Sequence, residues 1–449
     1  MTPEQPIVLS TRSGQIHGTL LLPSGAARVP AVLIVSGSGP TDRDGNSPVF
    51  QGKNDSLKLL ARALATAGFA SVRFDKRGVA GSATALLREA DLRVDDLVDD
   101  AVGWLDLLAA DPRFKGVSIV GHSEGSLIGM LAAQRWPVRA FVSVAGAAAG
   151  AASVLRRQLH GKLSPELAQI SDTVLSALGR GRAVSDVPPE LASLYRPGVQ
   201  PYLISWFKHN PADIFSRLSM PCTILQGDTD IQISVSEARA LAVAKPDASL
   251  RIIEGMNHVL KLVPQSQAQQ MASCGEPSLP LAPELIAQLV AFLRGASAET
   301  PVTLAPVAQD DLDALVAIRI EAMRDSLERI GRFDPVRARE RFASGFSPAH
   351  TRHVVVGGER VGFIVVKPGA DALLLDHLYV RPGSQARGIG AAVLALVFAE
   401  ADARSLPLRV GALRGSASNR FYRRHGFLLV EQGEFDTYYL RPAAAASGS

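Results

Sequence analysis

Cysteine is scarce. The 449 residues hold two, Cys222 and Cys274, too few for a disulfide framework and in keeping with a reducing compartment. Cys222 follows Met220-Pro221 at the head of an apolar run and reads as a small buried side chain, whereas Cys274 reads as part of a polar loop. Long apolar runs are missing too: the longest, Ala140–Ala152, is broken by serine and glycine and is too short to cross a bilayer. Met1–Leu22 lacks the basic and apolar regions of a signal peptide. The expectation is a cytoplasmic protein with no membrane partner. Charge of one sign is also lacking, since Lys+Arg 47 against Asp+Glu 43 leaves only +4, which excludes the field of a dedicated nucleic-acid binder. A hydrophobic share of 47% and a charged share of 20% exclude wholesale disorder and a fibrous repeat. One scarcity is local. After residue 300 the single lysine is Lys367, and the other basic residues are arginines, which suit bidentate phosphate contacts.

Up to about residue 150, short apolar runs alternate with helical periodicity. Ala31–Val35, Ala70–Phe74, Val117–Val120 and Ala140–Val144 read as buried parallel strands; Leu57–Ala67, Val94–Leu108 and Gly125–Ala133 read as helices. Such alternation implies a parallel sheet covered on both faces. The acidic cluster Asp91, Asp95, Asp96, Asp99 and Asp100 reads as a solvated helix face. Residues 147–218 break into short helices carrying Tyr195, Tyr202, Trp206 and Phe207, an inserted cap. The sheet pattern resumes at Thr223–Leu225 and Ser249–Ile253, and a helix follows at Ala282–Leu293. Gly295–Pro301 is the best linker. Beyond it come a strand at Val302–Leu304 and helices from Asp311 to about Arg341. Strands follow at His353–Val356, Val361–Val366 and Leu373–Val380, then a helix at Ile389–Ala403, and a frayed tail closes the chain at 442–449. The expected domains are 1–296, with a cap at about 147–218, and 301–441.

Gly121-His122-Ser123-Glu124-Gly125 is a G-x-S-x-G placed between a strand and a helix, the setting of a nucleophile elbow. The helix N-terminus and the Glu124 amide can there stabilise an oxyanion. A serine hydroxyl needs a base to take its proton. The next loops at strand ends carry Gly227-Asp228-Thr229-Asp230 and Gly255-Met256-Asn257-His258, in the order acid then histidine. Either Asp228 or Asp230 fits by spacing, while His258 is the one histidine before residue 300 so placed. His17, His160 and His209 read as surface or cap residues, and His122 as an elbow neighbour. A second oxyanion donor is expected from the glycine-rich loop Ser36–Asn46.

With these residues, about 7–294 resembles the α/β-hydrolase superfamily, and most of all bacterial carboxylesterases with an S-G-S-G-P-x-D-R-D-G oxyanion loop. Asp75-Lys-Arg77-Gly78 and the cap stretch from Leu194 to Trp206 belong to the same resemblance. It implies Asp230 as the triad acid with Asp228 as runner-up, Ser123 and His258 as its partners, and Ser38 beside Glu124 as oxyanion donors.

Gln385-Ala386-Arg387-Gly388-Ile389-Gly390-Ala391 lies between a strand and a helix, where glycines let backbone approach a pyrophosphate and the helix end supplies free amides. Together with Asn419–Phe427, it makes residues 302–441 resemble the GCN5-related N-acetyltransferase (GNAT) family, an α+β fold using acetyl-CoA. The resemblance implies pantetheine bonded by the backbone of Leu378 and Val380, and a pyrophosphate held by Gln385, Arg387, Gly388, Gly390 and Ala391. It also implies Tyr422 as the general acid. The asparagine usual seven residues before that tyrosine is Gly415 here and the usual alanine is Ser418, which leaves Asn419 to compensate on the adenosine side. Asp376 and His377 are candidate bases. His350 and His353 are too sparse for zinc, and no metal is expected.

The reading is therefore an α/β-hydrolase fold with a helical cap followed by a smaller GNAT-fold domain. It would be a bifunctional enzyme taking an ester or related acyl substrate, acetyl-CoA and an amine acceptor, with no nucleic-acid partner. The alternative is a hydrolase whose second domain is an acyl-CoA sensor or assembly module.

Overall fold

Runs that are apolar at every position become strands buried on both sides, because their alternate side chains serve two different cores. In the computed structural model, which describes residues 3–25, 28–86, 88–297, 302–329, 333–385 and 388–443, the chain divides into two compact units, Met1–Ser297 and Ala298–Ser449. The first unit has strands β1 (Gln5–Thr11), β2 (Gly14–Leu21), β3 (Val29–Val35), β4 (Ala70–Phe74), β5 (Phe114–His122), β6 (Phe141–Val144), β7 (Cys222–Gly227) and β8 (Ser249–Ile253). They form one sheet in the order β1-β2-β4-β3-β5-β6-β7-β8. All neighbours are parallel from β4 onward, with β1 and β2 antiparallel at one edge.

The two cores follow from the pleat. Ala31, Leu33 and Val35 of β3 pack in one cluster with Trp104 and Ile128, while Val32 and Ile34 pack in the other with Leu57, Leu64 and Leu285. Helices α1 (Ser56–Thr66), α2 (Val94–Ala110) and α3 (Glu124–Arg135) supply these cover residues, apart from Leu285, which comes from a helix near the end of the unit. Between β6 and β7 lie α4 (Ala151–Leu159), α5 (Pro165–Gly179), α6 (Ala192–Tyr195), α7 (Gln200–Trp206) and α8 (Pro211–Ser216), the stretch read as a cap. Then come α9 (Val235–Ala244), α10 (Gln267–Ser273) and α11 (Pro283–Ser297). Helix α11 takes in Gly295–Ser297 of the expected linker, and the rest of that linker falls at 298–301, outside the described residues.

Two expectations of polarity are corrected. Cys274, read as part of a polar loop, is buried at the end of α10. Asp100, read as part of a solvated face, is buried against Arg77, which donates to both its carboxylate oxygens at 2.7 Å. The heptad-like spacing of the acidic run places one of its members on the inner face of α2, where only a paired charge can stay.

The second unit comprises β9 (Val302–Pro306), α12 (Leu312–Arg329), α13 (Pro335–Ser344), β10 (Thr351–Val356), β11 (Glu359–Pro368), β12 (Leu373–Val380), α14 (Ile389–Ala403), β13 (Leu408–Leu413), α15 (Ala417–Arg424), β14 (Leu428–Gln432) and β15 (Asp436–Arg441). Its sheet runs β14-β15-β13-β12-β11-β10-β9. Only β12 and β13 are parallel, and their ladder is short, joining Leu373–Leu375 to Leu408–Val410. Past that point β12 keeps its β11 neighbour and β13 its β15 neighbour, so the sheet opens between Asp376–Val380 and Gly411–Leu413. Helix α14 packs Ile389, Val393 and Val397 onto the sheet beside this opening. The expected tail lies outside the described residues from 444 on.

Candidate active sites

Strand β5 ends at His122 and α3 begins at Glu124, so a single residue makes the corner. That residue, Ser123, has φ 55 and ψ −122, a conformation seldom adopted by L side chains and stored strain of about 1–3 kcal/mol. The flanking glycines are required by close approach. A Cβ on Gly121 would meet the Gly125 carbonyl oxygen at 2.4 Å, and one on Gly125 the Val35 carbonyl oxygen at 2.2 Å.

The expected acid and base meet. Asp230 Oδ2 lies 2.8 Å from His258 Nδ1. Its Oδ1 accepts from the backbone N–H of Gln232 at 2.8 Å and of Ile233 at 2.9 Å. The Gln226 amide donates to Oδ2 at 3.2 Å. Burial by itself would lift this carboxyl, but the charge and hydrogen bond of His258, with the Ile233 and Gln232 N–H groups, outweigh it and hold the pKa below the usual carboxylate range. Asp228 has another partner, the backbone N–H of Gly255 at 2.7 Å, and so fastens the loop that carries His258.

His122 does more than neighbour the elbow. Its Nε2 donates to the His258 carbonyl oxygen at 2.8 Å, and the two rings lie 4.9 Å apart. Burial first, and the charge of His258 next, push His122 down to about 4. Below its ordinary value of 6.5 the unfolded chain binds a proton that the fold refuses, so stability present above that pH is lost as pH falls toward 4. Melts across this window are expected to lose about 3 kcal/mol. In His122→Gln the slope should be clearly shallower, and an unchanged slope would place the acid sensitivity elsewhere.

The glycine-rich loop after β3 owes its shape to the charged residues of its motif. Asp42 Oδ1 accepts from the N–H of Asp44 at 2.9 Å and of Asn46 at 2.8 Å. Arg43 pairs with Asp75 at 2.6 Å, and Asp44 with the buried Arg73 at 2.7 Å. The side chains thus brace the loop from behind, leaving its backbone to the site. Ser38, Ser123 and Glu124 line one cavity of about 90 Å³, with Leu127, Val154 and Trp206 among its apolar walls. Glu124 also carries a buried carboxylate that sequence reasoning passed over. Lys76 donates to its Oε2 at 3.1 Å and Tyr202 of α7 to its Oε1 at 2.6 Å. Burial and the Glu124 charge push the Tyr202 phenol well above its usual value, which makes Tyr202 the donor. Lys76 and Tyr202 sat within stretches that resembled the esterase pattern, but nothing in their spacing showed that they converge on one carboxylate.

In the second unit Gly388 caps α14 at φ 79, where glycine avoids left-handed strain. Gly390 admits the Phe421 ring, whose Cζ would lie 3.1 Å from an added Cβ. Ala391 follows in the first turn of α14, half-buried. Leu378 and Val380 pair with Ile364 and Gly362 of β11, on the strand segment that has lost β13. Gln385 donates to the Val380 carbonyl at 2.8 Å, tying the loop to the end of β12. Arg387 lies outside the described residues. Tyr422 is buried on α15 among Phe421, Phe427 and Tyr439, and burial, with Tyr379 next, raises its phenol above the ordinary value.

Asn419 is held by the turn around it. Its amide donates to the carbonyls of Leu413 at 2.7 Å and Ser416 at 3.1 Å, and its oxygen accepts from the Tyr439 hydroxyl at 2.9 Å. Buried and committed to the turn before α15, the side chain latches that turn. Of the candidate bases, Asp376 pairs with Lys367 at 2.6 Å, and burial, against the pull of Asp376, lowers His377 to about 4. Among the described residues no group of three or more His, Cys, Asp or Glu is gathered as a metal site, and no helix is long and apolar enough to cross a membrane.

A serine at a strained strand–helix corner, a buried Asp–His pair past β7 and β8, and a braced glycine loop after β3 together define an α/β serine-hydrolase type of site. Residues 32–273 match the model of the alpha/beta hydrolase family, and the chain belongs to it. Residues 349–428 match the acetyltransferase (GNAT) domain, so the chain carries that domain as well. Esterase EstD of Thermotoga maritima is 24% identical over 249 residues, 55% of this chain and 58% of that protein. The chain thus spans a little over half the length of that relative. Among solved structures, Est1E from Butyrivibrio proteoclasticus aligns with a TM-score of 0.44 at 16% identity, over 66% of this chain and 99% of its own. The esterase domain from a Rhodothermus marinus protein aligns with a TM-score of 0.41 at 17% identity, over 65% and 99%.

Proposed function

We propose that the chain is a bifunctional enzyme that hydrolyses a carboxylic ester or related acyl compound in its first unit and transfers acetyl from acetyl-CoA to an amine in its second. The observation that carries the first activity is the 2.8 Å contact between Asp230 and His258, on the loops that follow β7 and β8. Ser123 Oγ attacks the acyl carbonyl while His258 Nε2 takes its proton, and Asp230 holds the ring in the tautomer that leaves Nε2 free. The oxyanion is met by the N–H groups of Ser38 and Glu124. Collapse of the intermediate expels the alkoxide, which His258 protonates. Water then attacks the acyl-enzyme by the same route and releases the acid and Ser123. The cavity beside Ser123, about 90 Å³ and walled by Ala147, Ala149, Val154 and Trp206, favours a small apolar acyl group. Incubation with a fluorophosphonate should phosphonylate Ser123 alone, read by peptide mass spectrometry, and block turnover of p-nitrophenyl acetate. Full turnover after complete labelling would sink the assignment.

For the second activity, the supports are the opening between β12 and β13 and the α14 N-terminus capped by Gly388. Backbone of Leu378 and Val380 would hold the pantetheine arm, and the amides of 388–391 the pyrophosphate, with Gln385 steadying the loop and Arg387 adding charge. Acetyl-CoA bound there would supply an activated acetyl thioester. Tyr422, its phenol kept protonated by burial, has a proton to give to a leaving thiolate. Acetyl-CoA should raise the melting temperature, and Tyr422→Phe should keep that shift while thiol release with an amine panel falls about 100-fold. Loss of the shift in Tyr422→Phe would make the tyrosine a binding residue instead.

A further inference from the structure

Hydrolysis by Ser123 and His258 leaves one buried ion pair without a part. The side chains of Lys76 and Glu124 are 5% and 2% exposed. Desolvation offsets most of the Coulombic gain of such a pair, so its presence beside a nucleophile has to be explained by something other than stability. Lys76 Nζ donates to two acceptors, Glu124 Oε2 at 3.1 Å and the Gly37 carbonyl oxygen. The second acceptor is informative. The Gly37 C=O and the Ser38 N–H belong to one peptide unit, and no described peptide bond is cis, so the two bonds point in opposite directions. A carbonyl held on Lys76 turns the Ser38 N–H away from the lysine, and Ser38 lines the cavity together with Ser123 and Glu124. The peptide follows Gly37, whose free ψ lets it flip easily unless it is fastened. Asp75, next to Lys76 in the chain, holds the same loop at Arg43 through its backbone N–H at 2.8 Å and its guanidinium at 2.6 Å.

We propose that Lys76 is a positioning residue of the hydrolase. It fixes the Gly37–Ser38 peptide so that the Ser38 N–H meets the developing oxyanion, and it neutralises the Glu124 carboxylate that would otherwise repel that charge. Tyr202, bonded to the other Glu124 oxygen at 2.6 Å, makes the arrangement depend on α7 being seated. The inference rests on the hydrolase reading and extends it to a residue that touches no substrate.

The test uses the full-length chain, with kcat expressed per Ser123 titrated by fluorophosphonate so that misfolded molecules are not counted. Lys76→Met should lower kcat for p-nitrophenyl acetate about 30- to 300-fold, the range set by loss of an oxyanion donor, with KM within about threefold because the ground state does not use the peptide. The inhibition constant of a boronic acid, which mimics the tetrahedral state, should rise in step with the loss of kcat. Lys76→Arg, which keeps a cationic donor, should recover most of kcat. Tyr202→Phe should give a smaller loss in kcat, about fivefold, again without a change in KM. A Lys76→Met kcat per titrated site within threefold of the parent, or a loss confined to KM or melting temperature, overturns the inference. Should Lys76→Met not fold, an unchanged kcat in Tyr202→Phe together with no recovery in Lys76→Arg overturns it equally. Turnover surviving in Ser123→Ala would instead overturn the hydrolase reading, so the two failures are distinguishable.

Discussion

Replacing Ser123 by alanine should abolish ester hydrolysis, lowering kcat by about 10⁴- to 10⁶-fold, the range seen when the nucleophile of a serine hydrolase is removed. The residual rate would come from the oxyanion donors and substrate binding alone. A second substitution at the same corner separates chemistry from strain. Ser123 sits at φ 55 and ψ −122, and alanine must adopt the same unfavourable angles, whereas glycine adopts them freely. Ser123→Gly should therefore be as inactive as Ser123→Ala yet more stable, by about 1–3 kcal/mol. That corresponds to a melting temperature several degrees higher for a unit of this size. Kinetics on p-nitrophenyl acetate and melts followed by circular dichroism read the two effects independently. Equal melting temperatures for the alanine and glycine variants would show that the corner is unstrained, and turnover within tenfold of the parent in either would remove Ser123 from the reaction.

The legible parts of the fold were those where one local rule was enough. Ala70–Phe74 and Ser249–Ile253 read correctly to the residue because a short, mostly apolar run between turn residues has few other uses. The β1–β2 hairpin was missed. Burial alternates along both strands, but the apolar Val8 sits exposed beside the half-buried Ile7, so the alternation of residue types that marks an edge strand is blurred. Helix α9 was missed for a related reason: its buried set is Glu237, Ala238 and Leu241, and the glutamate is there to accept the N–H groups of Ala148 and Ala149 at 2.8 Å. No periodicity argument expects a carboxylate on an inner face.

The site divides the same way. G-x-S-x-G and the two loops at strand ends could be read because each is a local pattern at a position that the sheet dictates. Lys76, Glu124 and Tyr202 come from three separate stretches, and a lysine in Asp75-Lys-Arg77-Gly78 looks like surface charge until the fold buries it. Asn419 went the other way. The sequence offered it to compensate, on the adenosine side, for the asparagine replaced by Gly415, but the turn before α15 uses its amide to hold the Leu413 carbonyl at 2.7 Å.

The choice between the two aspartates of Gly227-Asp-Thr-Asp230 gives the other large effect. Asp230→Asn should lower kcat about 10⁴-fold, and Asp228→Asn by less than about tenfold. The difference follows from what each carboxylate touches. Asp230 orients His258 through Nδ1 at 2.8 Å, and an amide in its place can present an N–H there, forcing the ring into the tautomer whose Nε2 carries a proton and cannot accept one from Ser123. Because the N–H groups of Gln232 and Ile233 anchor the other oxygen, the asparagine should keep the same position and the variant should melt close to the parent, so the loss is one of protonation and not of folding. Among the described residues the Asp228 carboxylate accepts from the Gly255 N–H at 2.7 Å, and an asparagine oxygen accepts that bond equally well. Asp228→Ala removes it and should cost about 1 kcal/mol of stability, with a KM-independent drop in kcat that stays small because His122 still holds the His258 carbonyl at 2.8 Å. The reverse ranking, with the large loss in Asp228→Asn, would mean that the loop after β7 rearranges during catalysis and hands the histidine to the other acid.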